Sequence, residues 1–224
     1  MKLAKILERI ENARTGEAVK LIAVSKNVTT KEVLELFRQG QTSFGENRVQ
    51  ELKNKSEILS NLPIEWHFIG RLQSNKINHL IALKPALWQS CESVEAALAV
   101  DKRLACELPC LLQINSAYED SKQGISPEAA QDAFLQIAQE CKFLKPVGVM
   151  SIGAHVEDER VVQKSFETTR KIYENLQPHG AGICSMGMSG DFELAIKCGS
   201  NMIRLGSILY SWARIYASAK NANR

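Results

Sequence analysis

The sequence predicts a single (β/α)8 TIM barrel preceded by one extra helix. Three observations lead there. Short apolar runs alternate strictly with longer amphipathic stretches, the pattern of parallel strands joined by helices. The runs are bounded by Gly, Pro or polar residues and are apolar on both faces, as fully buried strands are. Eight such units fit within 224 residues, a length that barrels of this kind occupy as one domain, here residues 1–224. An open doubly wound sheet is the competing architecture, because losing the short second run would remove the count of eight.

The elements follow in order. In MKLAKILERIENAR, Leu3, Ile6, Leu7 and Ile10 fall at helical spacing with charges between them. Lys5 and Glu8 interrupt the apolar core that a secretory signal needs, so this is read as a helix of the mature protein. The first strand is 21–24. Its helix is announced by Thr29 and Glu32 at capping-box spacing, carries Val33, Leu34 and Phe37 on one face, and ends at Gly40. The strands at 42–45, 65–69 and 86–90 are followed by helical stretches at 47–59, 74–83 and 94–104. After the strand at 110–115, Ser126 and Pro127 open a helix whose stripe is Ala130, Ala133, Phe134, Ile137, Ala138 and Cys141. The strand at 147–152 precedes a stripe of Val161, Val162, Phe166, Thr169, Ile172, Tyr173 and Leu176. The strands at 182–186 and 201–205 precede helices at 190–198 and 207–217, and the polar tail AKNANR is expected to fray.

Composition narrows the function. Hydrophobic residues make up 45% and charged residues 24%, as in a globular protein in water. The net charge of +3 lacks the basic footprint of a nucleic-acid binder. No apolar stretch is long enough to span a membrane. Cys91, Cys106, Cys110, Cys141, Cys184 and Cys198 form no C-x-x-C pair. Buried, reduced thiols in a cytoplasmic protein are therefore expected, with no metal site.

In such a barrel the chemistry sits at the C-terminal strand ends. Those positions are Ser25 and Lys26, Glu46 and Asn47, Arg71, Ser90, Asn115, Ser151, Ser189, and the group Arg204, Gly206 and Ser207. Lys26 follows the first strand, so its stem points into the barrel mouth. Partly desolvated there, it is a nucleophilic amine suited to Schiff-base chemistry; otherwise it snorkels to solvent. The segments 186–191 (MGMSGD) and 204–207 (RLGS) each run from a strand into a helix N-terminus, where free N–H groups favour an anion. Gly206 allows close backbone approach. A phosphate held by the loops after strands seven and eight recurs in barrels, and closure puts it beside Lys26. An aldolase using Lys26 without a cofactor and a pyridoxal phosphate site both fit. Arg204 favours the second, since an Arg is an expected partner of the pyridine nitrogen; a core ion pair is its other reading.

These residues carry a resemblance. LIAVSK (21–26), FGENRVQE (44–51), WHFIGRLQSNK (66–76), KQGI (122–125), SMGMSGD (185–191) and IRLGS (203–207) occur in order across most of the chain. The sequence resembles the YggS/PROSC family of pyridoxal phosphate homeostasis proteins, whose barrel is like the N-terminal domain of alanine racemase. The resemblance implies pyridoxal 5'-phosphate bound covalently, as a Schiff base, to Lys26. It implies phosphate contacts from Ser189, Gly206 and Ser207, and Arg204 at the pyridine nitrogen. Asn47 is a further cofactor-binding candidate, whereas His67 and Met186 are read chiefly as core. Lys122 matches a family lysine and is read as a surface charge rather than a second contact. The chain departs from the family in NVTT (27–30), where Pro is frequent, in IGAHV (152–156), where a Pro-aromatic pair is common, and in Ser207, where Thr is usual.

The resemblance also bears on catalysis. An Arg at the pyridine nitrogen leaves the ring largely unprotonated and weakens it as an electron sink. Alanine racemases add a tyrosine from a separate C-terminal domain of the partner subunit, and the chain after Gly206 is too short to encode one. A non-catalytic carrier is expected, a monomer that holds pyridoxal phosphate and supplies it to apo-enzymes. A weak amino-acid racemase is the alternative.

Overall fold

The computed structural model describes residues 2–118, 123–154 and 156–210. Eight parallel strands close into a barrel in sequence order. They are β1 (Lys20–Val24), β2 (Ser43–Glu46), β3 (Glu65–Phe68), β4 (Leu87–Cys91), β5 (Leu108–Ile114), β6 (Leu144–Ser151), β7 (Ile183–Ser185) and β8 (Met202–Leu205). The helices are α1 (Lys2–Ala13), α2 (Thr30–Arg38), α3 (Val49–Ile58), α4 (Ile77–Ala82), α5 (Val94–Asp101), α6 (Ala130–Glu140), α7 (Glu159–Leu176) and α8 (Phe192–Lys197). Residues 207–210 are also helical; the rest of the expected last helix lies outside the described residues. The closing pair is β1 with β8, in register from Lys20↔Met202 to Ala23↔Leu205. That pairing excludes an open sheet.

Local sequence explains the boundaries. Thr29 and Glu32 form the expected capping box: the Thr29 N–H donates to Glu32 Oε2 at 2.7 Å, and the Glu32 N–H donates to Thr29 Oγ1 at 3.4 Å. Gly40 follows α2 with φ +101°, a conformation that favours glycine. Around Pro127 the first turn is a 3-10 turn, Pro127–Ala129, and the α-helix begins at Ala130. The short second strand is present and pairs with β1 and β3.

Two apolar regions organise the fold. Inside the barrel, Ile22, Leu87, Leu111, Met150 and Met202 form one cluster. Larger clusters lie between the barrel and its helices, including Phe68, Trp88, Phe134 and Phe166 on one side and Phe44 and Phe192 on another. Leu3, Ile6, Ile10 and Ala13 bury the inner face of α1, which packs against α8. Arg9 of α1 reaches Glu193 of α8 through two hydrogen bonds of 3.0 and 2.9 Å. Leu7 and Val161, read as core positions, are exposed on the rims of their apolar faces. Four of the six cysteines are buried, whereas Cys106 is exposed; burial pushes the Cys184 thiol up to about 12. No helix among the described residues is long and apolar enough to cross a membrane, and none of their His, Cys, Asp and Glu side chains group into a metal site.

The α2 cap gives a direct check on this local reading. Thr29→Ala removes one side of the capping box and should cost about 1 kcal/mol of stability. Urea unfolding of the two proteins measures the difference.

Candidate functional site

The site is built where β1 meets β8. Ile22 belongs to the interior cluster, so the two-residue repeat of a strand carries Val24 and then Lys26 toward the barrel mouth. Gly206, at the end of β8, lies against the same strand. A Cβ built on Gly206 would meet Val24 O at 3.5 Å and Val24 Cβ at 3.6 Å, ordinary contact distances. Packing within the chain therefore does not require glycine at 206. A ligand approaching the backbone would. Lys26 lies two residues beyond Val24, past the end of β1. It is exposed in a turn, the solvent-facing one of its two readings: the strand ends at Val24, and the lysine follows beyond it. Asn27 closes that turn with φ +59°, which Asn tolerates, and the Val28 N–H donates to Ser25 O at 3.1 Å.

Arg204 is inward-facing and buried. Its Nη1 donates to Ser185 Oγ at 2.6 Å, and its Nη2 donates to Ser151 O at 2.8 Å. Among the described residues no carboxylate lies within ion-pair distance of it, so the core ion pair is not formed. Burial lowers its pKa to about 10, with Asp191 the larger of two opposing charges. The guanidinium is still charged at neutral pH. It has five N–H donors, and the two serines engage only two of its nitrogens.

The loops after β7 and β8 meet. The Gly206 N–H donates to Ser189 Oγ at 3.2 Å, so Ser189, Gly206 and Ser207 form one surface at the start of the last helix. At the start of α8, Asp191 stands at the N-cap, and its carboxylate accepts from the Met188 N–H at 2.6 Å, upstream of the helix, with no side-chain cap bond. The acidic side chain beside that six-residue helix favours the backbone after β8 as the anion site.

A buried ion pair underlies this mouth. Lys55 Nζ of α3 donates to Glu46 Oε1 at 2.6 Å and to Ser25 O at 2.7 Å, and Ser25 Oγ donates to the same Glu46 oxygen at 2.7 Å. The Lys55 and Glu46 side chains are 5% and 0% exposed, so both charges depend on one another. Glu46 precedes Asn47 and Ser25 precedes Lys26, so the pair ties together the two strand ends that carry those residues. Sequence reading assigned Lys55 no role. Its signal is a lysine on the same helical stripe as the buried Val49 and Leu52.

The other candidates divide. Asn47 is half-buried at the end of β2, and its carbonyl oxygen is so close to Gly70 that a Cβ there would sit 2.0 Å from it. Ser90 Oγ is used inside the fold, bridging Trp88 Nε1 and Gly70 O. Arg71 is exposed near Glu92. Met186 is buried in the outer core. His67 is buried within the barrel, as a core reading expects. Lys122 and His155 lie outside the described residues.

Comparison with known proteins extends this geometry. The family model for the N-terminal domain of alanine racemase matches residues 2–213. A pyridoxal phosphate homeostasis protein from Helicobacter pylori is 48% identical over 216 residues, covering 93% of this chain and 96% of its own. One from Aquifex aeolicus is 35% identical over 224 residues, with 93% and 96% covered. Among solved structures, PipY of Synechococcus elongatus with pyridoxal phosphate bound aligns with a TM-score of 0.81 at 30% identity, covering 93% of this chain and 98% of that one. Alanine racemase from Corynebacterium glutamicum shares the fold at a TM-score of 0.72 and 17% identity, covering 90% and 60%.

The buried pair should be costly to break. Lys55→Met leaves Glu46 charged and unpaired, and should lower stability by about 3–5 kcal/mol. Adding Glu46→Leu should recover much of that loss. Denaturant unfolding of the wild type, single and double variants measures both effects.

Proposed function

Since the chain belongs to the pyridoxal phosphate homeostasis protein family, within the wider family of alanine racemase N-terminal domains, we propose that it binds pyridoxal 5'-phosphate and serves its homeostasis without strong catalytic activity. The observation that carries this reading is the convergence of three chemistries at one strand pair. An exposed primary amine, Lys26, follows β1, backbone open at Gly206 follows the neighbouring β8, and a buried guanidinium, Arg204, lies within β8. When bound, pyridoxal phosphate supplies an aldehyde that captures primary amines reversibly.

Each residue then has a role. Lys26 Nζ is the amine that holds the cofactor covalently, and its exposure lets another amine compete for the same carbon. The backbone N–H groups at Gly206 and Ser207, with the hydroxyls of Ser189 and Ser207, receive the phosphate. The Gly206 N–H now satisfied by Ser189 Oγ becomes a donor to a phosphate oxygen. Arg204 would hold the pyridine nitrogen through a spare guanidinium N–H, which would keep a proton off it. That restrains electron withdrawal by the ring and favours storage over turnover. Asn47, at the end of β2, adjoins the end of β1 on the side away from β8. The names carried by the relatives, homeostasis proteins rather than racemases, support the same reading. The recipients of the cofactor are apo-enzymes in the cytoplasm.

The purified protein should be yellow after loading with pyridoxal phosphate, and Lys26→Ala should abolish the visible absorbance. Retained absorbance in that variant would remove Lys26 from the attachment site. Chiral assays over a panel of amino acids should show no sustained racemisation, whereas turnover at ordinary enzyme rates would overturn the storage reading. Ser189→Ala should weaken cofactor retention about tenfold, the loss of one hydrogen bond to a charged group, with the thermal midpoint unchanged. Equilibrium dialysis measures the retention.

A further inference from the structure

The barrel interior holds a polar column that the site described above does not use. It begins at Arg204, whose Nη1 donates to Ser185 Oγ. Ser185 Oγ donates in turn to Gln89 Oε1 at 2.8 Å. Gln89 Nε2 lies 2.9 Å from His67 Nδ1. Since the amide nitrogen can only donate, Nδ1 must accept, and the ring proton belongs on Nε2. His67 Nε2 lies 3.3 Å from Glu65 Oε1, an electrostatic contact short of hydrogen-bond alignment. Glu65 also accepts from Lys20 Nζ, at 2.6 and 2.7 Å, and from Ser43 Oγ at 2.7 Å. His67, Glu65 and Lys20 line a cavity of about 250 Å3 at the N-terminal end of the barrel. The column thus runs from the mouth toward the floor, and from Arg204 to His67 every donor points the same way.

Its chemistry is self-consistent. Burial is the main effect on His67 and lowers its pKa, so the ring is neutral at neutral pH. Contact with His67, and then with Lys20 and Ser43, holds the Glu65 carboxyl far below the usual carboxylate range. Barrel interiors are ordinarily filled by branched apolar residues, and a buried polar column adds little stability over an apolar one. What a satisfied column does supply is a single orientation for the group at its end.

We propose that Gln89 and His67 are positioning residues for Arg204: through Ser185 they lock the guanidinium into the orientation that meets the pyridine nitrogen. The functional part of this rests on the pyridoxal phosphate reading, while the locking itself is a property of the free protein. Gln89→Met keeps side-chain length and removes both links.

In ligand-free protein labelled with 15N, the Arg204 Nη groups should give separate, slowly rotating signals, assigned by their loss in Arg204→Lys. In Gln89→Met the Nη1 signals should broaden through faster exchange as Ser185 loses its fixed orientation, while Nη2 keeps its bond to Ser151 O, with circular dichroism preserved. The same variant should bind pyridoxal phosphate about tenfold more weakly, the size of a lost hydrogen bond to a charged group. Combined with Arg204→Lys it should add no further loss, because it acts through that residue. Unbroadened Nη1 signals in Gln89→Met, unchanged binding, or an additive loss in the double variant would each overturn the proposal. If Gln89→Met does not fold, His67→Leu is read by the same criteria. Should the wild type take up no pyridoxal phosphate, the functional reading fails, and the nuclear magnetic resonance comparison still decides whether the column locks Arg204.

Discussion

Closure of the sheet between β1 and β8 is the constraint on which the other features depend. The pairing sets Ile22 opposite Arg204, and with it the height of every residue above that level. Val24 and Gly206 come into contact distance only because these strands are neighbours. The join on the other side of β8 is thinner. One residue pair, Ser185↔Met202, defines its register, supplemented by Arg204 N–H to Gly187 O at 3.0 Å and Met186 N–H to Met202 O at 3.1 Å. The loops after β7 and β8 therefore approach one another where the sheet is least continuous, and the Ser189 to Gly206 hydrogen bond forms there.

Two buried cations support this mouth in different ways. Lys55 is neutralised by a carboxylate and clamps a backbone carbonyl beside it. Arg204 is met by neutral oxygens, and Asp191 acts on it only at a distance. A charge paired inside the fold is committed to holding strands together. A guanidinium with donors to spare retains capacity for a ligand atom. The contrast separates a cation spent on the fold from one with donors left over.

Much of the architecture was legible in the residue pattern. The alternation of apolar runs, the Thr29–Glu32 cap and the helix after Pro127 are local signals, and local backbone and side-chain chemistry produced the corresponding elements. The strand ends were equally legible, so Lys26, Ser189, Arg204 and Gly206 were identified before their neighbours were known. Lys55 and Gln89 were not. Each is polar at a position whose partners lie in other strands, and sequence spacing does not reveal which distant residue completes a hydrogen bond. The choice between the two readings of Lys26 and the capture of the Met188 N–H by Asp191 were likewise not legible, since both depend on the path of a loop rather than on the identity of the residues in it.

The sequence by itself determined the eight-unit barrel, the family and a small set of candidate strand-end residues, because periodicity, caps and contiguous motifs are properties of neighbours along the chain. Only the tertiary structure decided which of those residues share a site and what holds them there. The glycine at 206 that packing does not require, the Glu46–Lys55 clamp, and the column from Arg204 through Ser185 and Gln89 to His67 arise when the sheet closes, for closure alone brings side chains from separate strands within hydrogen-bonding distance in a water-poor interior.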